Sequence, residues 1–457
     1  KVNSEIYSHY CFNEVNINTL SVHKVNASFG IKKADVEEQQ KLFVKVSHKM
    51  RFCLEVLENN HFLNWLLVQE FDLAFAHPYD VCPIGLIHYA KIPSWIWLSS
   101  ADDTKLFTKI PYILKTSIME SSDQMNFVER VKSFVGHALT IPLWKRMLSD
   151  RETELFRNLI GPNFPDIVDV AKECPLVMVN SNELYEAPRP TLSKIVNIGG
   201  VGMEFKETNP LPAEFQRIID DGVGLVVFSF GSVVPSHKMP TLWKKSFLNA
   251  FRSFPEHHFV MKYEGTDLQD QLPPNAHVFK WLPQIDLLAH NKTKAFISHG
   301  GYNSLQEAII AGVPLITIAL FGDQQKNAKL AEKHGISVNI RKNSLTADAI
   351  VNALKKLFND HSYTQNIRRL SSMVKKRPVK AEHLLVAWAE FVAEFKTLEN
   401  LVPAGSNLGF LQYHSIDVIG FLFIVLVSIL FVVYKFLLFI VTKLYRLTFH
   451  SRKQKEA

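Results

Sequence analysis

Short, continuous apolar runs recur along the chain up to about Phe358, separated by longer stretches with apolar residues at helical spacing. The runs are rich in Val, Ile, Leu or Phe and end in Gly, Pro or polar residues. Continuous rather than alternating hydrophobicity is typical of strands buried on both faces. The pattern therefore predicts parallel α/β architecture. The predicted strands are Phe71–Ala76, Ser94–Leu98, Leu176–Val179, Leu225–Ser229, Phe259–Lys262, Ala295–Ser298 and Pro314–Ile318.

Proline and glycine concentrate between Pro188 and Pro212, too densely for a single helix or strand, and this favours a change of domain there. Helical spacing predicts helices in Met125–Val135 and Lys380–Leu398. The region Asp102–Phe134, around the first of these helices, is either a surface connection or a loop against a binding cleft or a membrane surface.

The C-terminal segment is apolar on every face, as no soluble helix needs to be. The run from Val418 to Tyr434 approaches the ~20 residues that cross a bilayer, and Lys435 can extend its ammonium to the headgroups. We therefore predict a membrane span over residues 416–442 rather than a buried core helix. The basic residues of 443–457 place that tail in the cytosol and the body in a lumen or outside the cell.

Composition narrows the class of protein. The 457 residues are 47% hydrophobic and 21% charged, which is typical of a folded protein of two domains or more. A formal charge of +7, much of it in the last two dozen residues, leaves little basic surplus for nucleic acid, so we expect no nucleic-acid partner. Four widely spaced cysteines indicate neither a metal site nor a disulfide framework, and we expect half-buried thiols. The N-terminus lacks the apolar core of a secretory signal.

The chemistry is concentrated in residues 279–324. Here a predicted strand ends at Ser298, His299-Gly300-Gly301 forms a turn, and a helix is expected from about Asn303 to Ala311. Glycines before a helix allow close backbone approach, and the helix N-terminus attracts anions. Asn303 and Ser304 can cap this helix or donate to a phosphate, and Glu307, on the same face, can accept hydrogen bonds from ribose.

Residues on either side reinforce this interpretation. Trp281 offers an aromatic face for a base, and Gln284 offers an amide for its edge or for a ribose. Asp323 and Gln324 follow the next strand, where they could hold sugar hydroxyls. Alone, the His-Gly-Gly turn would be equally well explained as a tight turn with a cap.

This stretch resembles the donor-binding signature of the UDP-glycosyltransferases almost position for position. The matching motifs are W-x-P-Q at 281–284, H-G-G-x-N-S at 299–304, Glu307, G-x-P at 312–314 and F-G-D-Q at 321–324. Phe228-Ser-Phe-Gly-Ser232 is similar to the phosphate-contacting loop of that family. The resemblance covers roughly Phe52 to the C-terminus and points to the animal UDP-glucuronosyltransferases. It implies the GT-B fold, two Rossmann-like domains facing across a cleft. The expected divisions are 1–195 (acceptor side), 196–378 (donor side), 379–415 (return helix and linker), 416–442 (span) and 443–457 (tail).

The resemblance also implies roles for residues in this chain. Trp281 would stack on uracil, Gln284 and Glu307 would bind ribose, and Asp323 and Gln324 would hold the sugar. The negative charge on the departing UDP would be stabilised by the helix N-terminus at Gly301 and by side chains near it, without a metal ion or permanent cofactor. Those side chains are Ser232, His299 and Ser304. Two positions depart from the family pattern: Ala319 replaces a usual proline, and Lys262 a frequent arginine.

At the general base this chain departs from the family pattern. The family uses a histidine after its first strand, oriented by an aspartate after a later strand. His9 follows a serine, as the family histidine often does, but no predicted strand precedes it. His77 stands in the place of the aspartate, and Asp80 lies one turn further on. The chain is therefore either a transferase whose N-terminal part is incomplete here, or a membrane-tethered UDP-sugar binder without turnover that partners active relatives.

The function implied is transfer of glucuronic acid or glucose from the UDP-sugar to a small lipophilic acceptor, with inversion. Lys455 and Lys453, the third and fifth residues from the C-terminus, resemble a dilysine retrieval signal. Such a signal would place the protein in the endoplasmic reticulum membrane with a lumenal body. Glycan acceptor sequons at Asn26 and Asn291 are consistent with that side of the membrane. The expected protein partners are a second copy of this chain, in a homo-oligomer, or related transferases, in a hetero-oligomer.

Overall fold

The structure is a computed structural model that describes residues 46–77, 81–99, 125–188, 190–203 and 210–453. The chain divides into two compact units, Lys1–Glu399 and Asn400–Ala457. The first unit contains two parallel sheets. His9, Asp80, Cys11 and the sequon at Asn26 lie outside the described residues, as does most of the region Asp102–Phe134.

The N-terminal lobe of the first unit is built on a four-stranded sheet of order β1-β2-β3-β4, with every neighbouring pair parallel. Its strands are β1 (Ala74–Ala76), β2 (Trp95–Ser99), β3 (Leu176–Val179) and β4 (Ile195–Asn197). Its helices are α1 (Val46–Leu57), α2 (Asn60–Val68), α3 (Cys82–Tyr89), α4 (Phe127–Trp144), α5 (Asp150–Leu159) and α6 (Ile167–Lys172), with a π-helical turn at Lys145–Ser149.

The C-terminal lobe contains a six-stranded parallel sheet of order β10-β9-β8-β5-β6-β7. Its strands are β5 (Gly224–Ser229), β6 (His257–Lys262), β7 (Ala276–Phe279), β8 (Thr293–Ser298), β9 (Leu315–Thr317) and β10 (Ser337–Asn339). The helices that accompany them are α7 (Ala213–Asp221), α8 (Thr241–Arg252), α9 (Gln284–Ala289), α10 (Tyr302–Ala311), α11 (Gln324–Lys333), α12 (Ala347–Asn359) and α13 (His361–Lys375). Helix α14 (Ala381–Phe395) returns to the N-terminal lobe, where Ser94 Oγ donates to the carbonyl of Lys396 at 2.7 Å.

Strand β5 shows why the apolar runs are continuous. Val226 and Phe228 pack into the hydrophobic cluster on one face of the sheet, with α8 and α12. Leu225 and Val227 pack into the cluster on the opposite face, with α10 and α13. Because helices cover both faces, every position of the strand is buried and must be apolar.

The parallel architecture predicted from the sequence is confirmed, and each of the seven predicted strands overlaps an observed one. Only Ala74–Ala76 of the predicted run Phe71–Ala76 is a strand. Strands β4, β7 and β10 were not predicted, because they have three or four residues and are partly exposed. Strand β4 lies within the segment Pro188–Pro212, which is rich in proline and glycine, and it includes the domain boundary expected after residue 195. The expected domain boundaries are not tested by these observations and stay predictions.

The prediction for the cysteines was wrong for one pair. Cys53 of α1 and Cys82 of α3 form a disulfide bond across 29 residues of sequence, and both lie in the core of the N-terminal lobe. Their spacing resembles no cysteine motif, so only the packing of α1 against the start of α3 brings them together. Cys174 is a free thiol and is fully buried rather than half-buried, which raises its pKa to about 12.

The second unit contains α15 (Phe410–Tyr413) and the long helix α16 (Ile416–Lys453). Within the described residues, Ile416–Tyr445 is the one segment long and apolar enough to cross a membrane, and none of it is buried in protein. Its length of 30 residues exceeds the ~20 that span the hydrocarbon of a bilayer. The membrane-span candidate predicted from the sequence is therefore present as a single helix.

Candidate functional site

The predicted donor residues gather where the order of the C-terminal sheet reverses. From β5 the chain continues outward through β6 and β7, and then returns to β8 on the other side of β5 before reaching β9 and β10. This order is the Rossmann order, and ligands bind in the crevice at the carboxyl ends of the two strands where it switches. The loops at that crevice follow Ser229 of β5 and Ser298 of β8, which pair in register.

Both of these loops make the same turn. Ser229 Oγ accepts a hydrogen bond from the amide of Gly231 at 3.1 Å, and Ser298 Oγ accepts one from Gly300 at 3.2 Å. The φ angles of the two glycines are +79° and +81°, a left-handed conformation that side chains with a Cβ rarely adopt. The serine hydroxyls and the glycines therefore fix the shape of both loops.

His299 lies between the two glycine loops. A methyl group on Gly231 would lie 2.9 Å from Cε1 of His299, and one on Gly301 would lie 2.5 Å from Nε2, so the imidazole fills the space that the glycines leave. Nδ1 is buried without a hydrogen-bond partner among the described residues. Burial, assisted by the positive charge of Lys262, lowers the pKa of His299 to about 4, so the ring is neutral at pH 7. A neutral imidazole with an unused nitrogen is suited to hydrogen bonding a ligand.

Helix α10 begins at Tyr302, three residues after His299. The expectation that Asn303 or Ser304 caps this helix is wrong. Gly301 occupies the N-cap position, and no side chain caps the first turn, so neither Asn303 nor Ser304 is a cap. The two side chains are too far into the helix for that role, because the helix begins at Tyr302 rather than at Asn303. Asn303 instead accepts a hydrogen bond from Asn180 of the N-terminal lobe at 3.0 Å.

Gln284 and Glu307 are brought together as a pair. Gln284 Nε2, at the start of α9, donates to Glu307 Oε2 of α10 at 2.5 Å. Glu307 is 4% exposed, and this burial raises the pKa of its carboxyl, while the hydrogen bond from Gln284 opposes the rise. Glu307 therefore bonds with Gln284, whereas Asn303, one turn earlier in α10, bonds with Asn180.

Trp281 presents an open aromatic surface at the edge of the crevice. Its side chain is 61% exposed, which is unusual for so large an apolar group, and Lys262 Nζ lies 5.5 Å from the ring centroid. Lys262 also donates to the carbonyl of Gly231 at 3.0 Å and to Glu264 Oε1 at 2.7 Å. Burial opposes ionisation of Glu264, but its contacts with Lys262 and with backbone N–H groups lower its pKa on balance. The ammonium group of Lys262 is therefore bound to the glycine loop that follows Ser229.

Asp323 and Gln324 lie at the N-terminus of α11. Gln324 Oε1 accepts from the amides of Leu320 and Phe321 at 2.9 and 3.0 Å, which closes the loop after β9. Asn327 Nδ2 donates both to Asp323 Oδ2 at 2.9 Å and to the carbonyl of Gly300 at 3.0 Å. Asn327, which the sequence reasoning missed, therefore ties the Asp323 loop to the His299 loop.

The remaining candidates differ in their place and exposure. Ser232, at the end of the first glycine loop, is exposed to solvent. Ser304 of α10 is 7% exposed. His77 follows β1 in the N-terminal lobe, at the carboxyl end of that strand, and is half-buried. His9 and Asp80 lie outside the described residues.

Solved structures with the same architecture show the fold. The spinosyn forosaminyltransferase SpnP superposes with a TM-score of 0.52 at 13% identity, over 74% of this chain and 79% of that one. The glycotransferase of kitacinnamycin superposes with a TM-score of 0.50 at 16% identity, over 81% of this chain and 84% of that one. These likenesses and the two parallel sheets define the GT-B fold of glycosyltransferases, as predicted.

Sequence comparison gives the family. Residues 6–451 match the profile of the family described as "UDP-glucoronosyl and UDP-glucosyl transferase", to which the chain belongs. Human UDP-glucuronosyltransferase 1A3 is 34% identical over 397 residues, which are 83% of this chain and 71% of that relative. UDP-glucuronosyltransferase 1A7 of Rattus norvegicus is 32% identical over 386 residues, 82% of this chain and 71% of that relative. The protein is a hexosyltransferase of the UDP-glucuronosyltransferase type.

Proposed function

We propose that the protein transfers glucuronic acid from UDP-glucuronic acid, or glucose from UDP-glucose, to a hydroxyl or similar group of a small lipophilic acceptor. The observation that carries the proposal is the neutral His299 held between two glycine loops at the switch point, with a buried Nδ1 that has no hydrogen-bond partner among the described residues. The names of the relatives favour glucuronic acid as the donor sugar. Membership of the family supports the UDP part of the donor.

In this proposal the nucleotide occupies the edge of the crevice. The exposed ring of Trp281 stacks on uracil, and the buried Gln284–Glu307 pair binds the ribose hydroxyls. Because Gln284 restricts Glu307 to one orientation, the carboxylate is positioned before the nucleotide arrives. Asp323 and Gln324 bind the sugar; Gln324 is held by its own loop, and Asp323 by Asn327.

We propose that the transfer inverts the anomeric centre and uses no metal ion. The diphosphate would lie at the N-terminus of α10, where no side chain caps the first turn and the helix dipole favours an anion. His299, Ser304 and Ser232 donate further hydrogen bonds. Such donors stabilise the charge that develops on departing UDP, which is the role a metal ion fills in other transferases.

The acceptor must lose a proton as it attacks, so the reaction requires a general base. The candidates remain His9, His77 and Asp80. His77 has a suitable place, since it follows β1 at the carboxyl end of the N-terminal sheet. Single substitutions of the three, assayed for turnover and for UDP binding, would identify the base as the residue whose loss removes turnover alone.

We further propose that the protein spans the endoplasmic reticulum membrane once, with the body in the lumen and the basic tail in the cytosol. The Cys53–Cys82 disulfide supports a lumenal body, because such bonds persist in oxidising compartments. The exposed sequon residue Asn291 allows a direct test. A glycan removed by glycosidase from the wild type and absent from Asn291→Gln places the body in the lumen; a body digested by protease added to intact microsomes would place it in the cytosol.

The function is tested with the full chain in microsomes, supplied with UDP-glucuronic acid or UDP-glucose and a panel of phenols. Turnover by the wild type that is lost in His299→Ala supports the proposal. The matched control is His361→Ala, an exposed histidine at the start of α13. Absence of turnover together with retained UDP binding would overturn the proposal in favour of a membrane-tethered UDP-sugar binder, a partner of active relatives.

A further inference from the structure

A seven-residue segment of the N-terminal lobe, Asn180–Glu186, lies against the two helices that begin at the donor site. We call it the joint segment. It follows β3 directly, and its first three residues are 2% exposed or less. Its backbone is fixed within its own lobe, because the amide of Asn180 donates to the carbonyl of Ser99 at 2.8 Å and the amide of Gly199 donates to Ser181 at 2.8 Å. It is therefore a rigid part of the N-terminal lobe.

The amide side chain of Asn180 joins the lobes at α10. Its Nδ2 donates to Asn303 Oδ1 at 3.0 Å, and its Oδ1 accepts from Gln306 Nε2 at 3.0 Å. Gln306 is fully buried, and its amide oxygen Oε1 accepts a hydrogen bond from the hydroxyl of Tyr185 at 2.9 Å. Both ends of the Asn180 amide thus contact the same helix, one turn apart.

The end of the joint segment contacts α11 in the same way. Lys326 Nζ lies 3.1 Å from Glu186 Oε1, with both side chains largely buried, and His334 Nε2 lies 2.8 Å from the carbonyl of Tyr185. Arg377, just beyond α13, contacts Glu183 at 3.1 Å and the carbonyl of Asn197 at 3.0 Å. The lobes are therefore connected by polar contacts that include α10 and α11, the helices that follow the loops of His299 and Asp323.

Helix α10 carries both the contact with the other lobe and the donor residues. Asn303, Gln306 and Ile310 contact the N-terminal lobe, where a methyl on Gly199 would lie 3.0 Å from Gln306 and one on Gly200 would lie 3.7 Å from Ile310. Ser304 and Glu307 lie within one turn of these residues on the same helix, and Glu307 pairs with Gln284. A shift of α10 against the joint segment therefore moves the donor residues by the same amount.

We propose that Asn180 and Gln306 are positioning residues for sugar transfer: they fix the donor helix relative to the lobe that carries the acceptor. The inference rests on the proposed function. Binding of the nucleotide involves the C-terminal lobe alone, whereas transfer requires the anomeric carbon and the acceptor to be aligned across the two lobes. Loss of the amide contacts then lowers kcat and leaves the KM for the UDP-sugar unchanged.

The test compares two substitutions of Asn180 in the full chain in microsomes. Asn180→Leu removes both contacts while keeping the branching and the number of heavy atoms of the side chain, and we expect kcat to fall by about tenfold to a hundredfold, since a displacement of about 1 Å can have that effect. In Asn180→Asp the carboxylate still accepts from Gln306, and Asn303 can turn its amide to donate to it. The helix N-terminus favours the added charge. We expect this variant to retain most of the wild-type kcat.

Asn275→Leu is the matched control for lost stability. Asn275 is 5% exposed and donates to the carbonyls of Phe251, Phe254 and His257, away from the joint segment. The proposal is overturned if Asn275→Leu lowers kcat as much as Asn180→Leu does. It is also overturned if Asn180→Leu retains kcat, or if its KM for the UDP-sugar rises in proportion.

Hydrogen exchange gives a readout that does not require turnover. Addition of UDP is expected to slow exchange in α10 in the wild type and in Asn180→Leu alike, because the nucleotide binds the C-terminal lobe, whereas exchange in residues 180–186 is expected to be faster in Asn180→Leu than in the wild type. Equal exchange of residues 180–186 in the two proteins would overturn the inference and leave the proposed function intact. Failure of the wild type to bind UDP at all would instead overturn the proposed function.

Discussion

The neutral state of His299 makes the stability of the body depend on pH in a defined window. Its pKa is about 4 in the folded protein, because burial and the charge of Lys262 disfavour the imidazolium, and about 6.5 in an unfolded chain. Between these values the unfolded state binds more protons than the folded state. The free energy of unfolding therefore falls as the pH falls through this window, and His299 contributes no pH dependence well above 6.5.

The magnitude follows from the two pKa values. Lowering the pH from 7 to about 5 costs about 2 kcal/mol of unfolding free energy through this residue alone, and the full effect at lower pH is about 3 kcal/mol. For a body of this size, 2 kcal/mol corresponds to a fall of about 3 °C in the unfolding midpoint. Other groups titrate in the same range, so the useful quantity is the difference between the wild type and a variant that cannot titrate.

The assay is thermal unfolding of the full chain in detergent micelles at a fixed scan rate, at several pH values from 7 to 5. The variant His299→Asn keeps a polar side chain of similar reach but has no proton to gain. We expect the wild type to lose about 3 °C more than His299→Asn over this range. Equal losses in the two proteins would refute the reasoning, because they would mean that His299 is solvated well enough to titrate normally.

Three further predictions follow from the same geometry. Gly301→Ala should weaken UDP binding at least tenfold, because its methyl would lie 2.5 Å from His299 Nε2, whereas Gly161→Ala, with nothing within 4 Å, should bind UDP like the wild type in a titration. Trp281→Ala should lower UDP affinity by about 1–3 kcal/mol in the same titration, with little change in the unfolding midpoint because the ring is 61% exposed; unchanged affinity would exclude a stacking role. Cys53→Ser should lower the free energy of unfolding by about 3–4 kcal/mol, given the 29-residue separation of the bridged cysteines, and addition of reductant should then destabilise only the wild type.

Sequence patterns predicted the centre of the C-terminal lobe well, because there each residue answers to a strong local constraint. The central run of strand β8, Ala295–Ile297, must be apolar because helices cover both faces of it, and Gly300 after the strand must allow a left-handed turn. These features are visible in a short stretch of sequence. Short strands such as β10 show the opposite case, since three residues with two half-buried positions carry no detectable pattern.

The features that the sequence did not predict are those that depend on contacts between distant residues. Cys53 and Cys82 are linked only by the packing of two helices. Asn180 and Gln306 are 126 residues apart, and each amide is ordinary in its local context. Even the expected cap at Asn303 failed for this reason, because its side chain contacts the other lobe instead of the first turn of its own helix.

The paired turns at Ser229 and Ser298 bear on the entropy of ligand binding. Glycine-rich loops usually lose much conformational freedom when a ligand orders them, and that loss weakens binding. Here each loop is already held by a serine hydroxyl and by the imidazole between them, before any nucleotide is present. In the proposed binding mode, the nucleotide meets backbone amides that are already oriented, so little of its binding energy would go into ordering the protein and more would remain available to align the sugar for transfer.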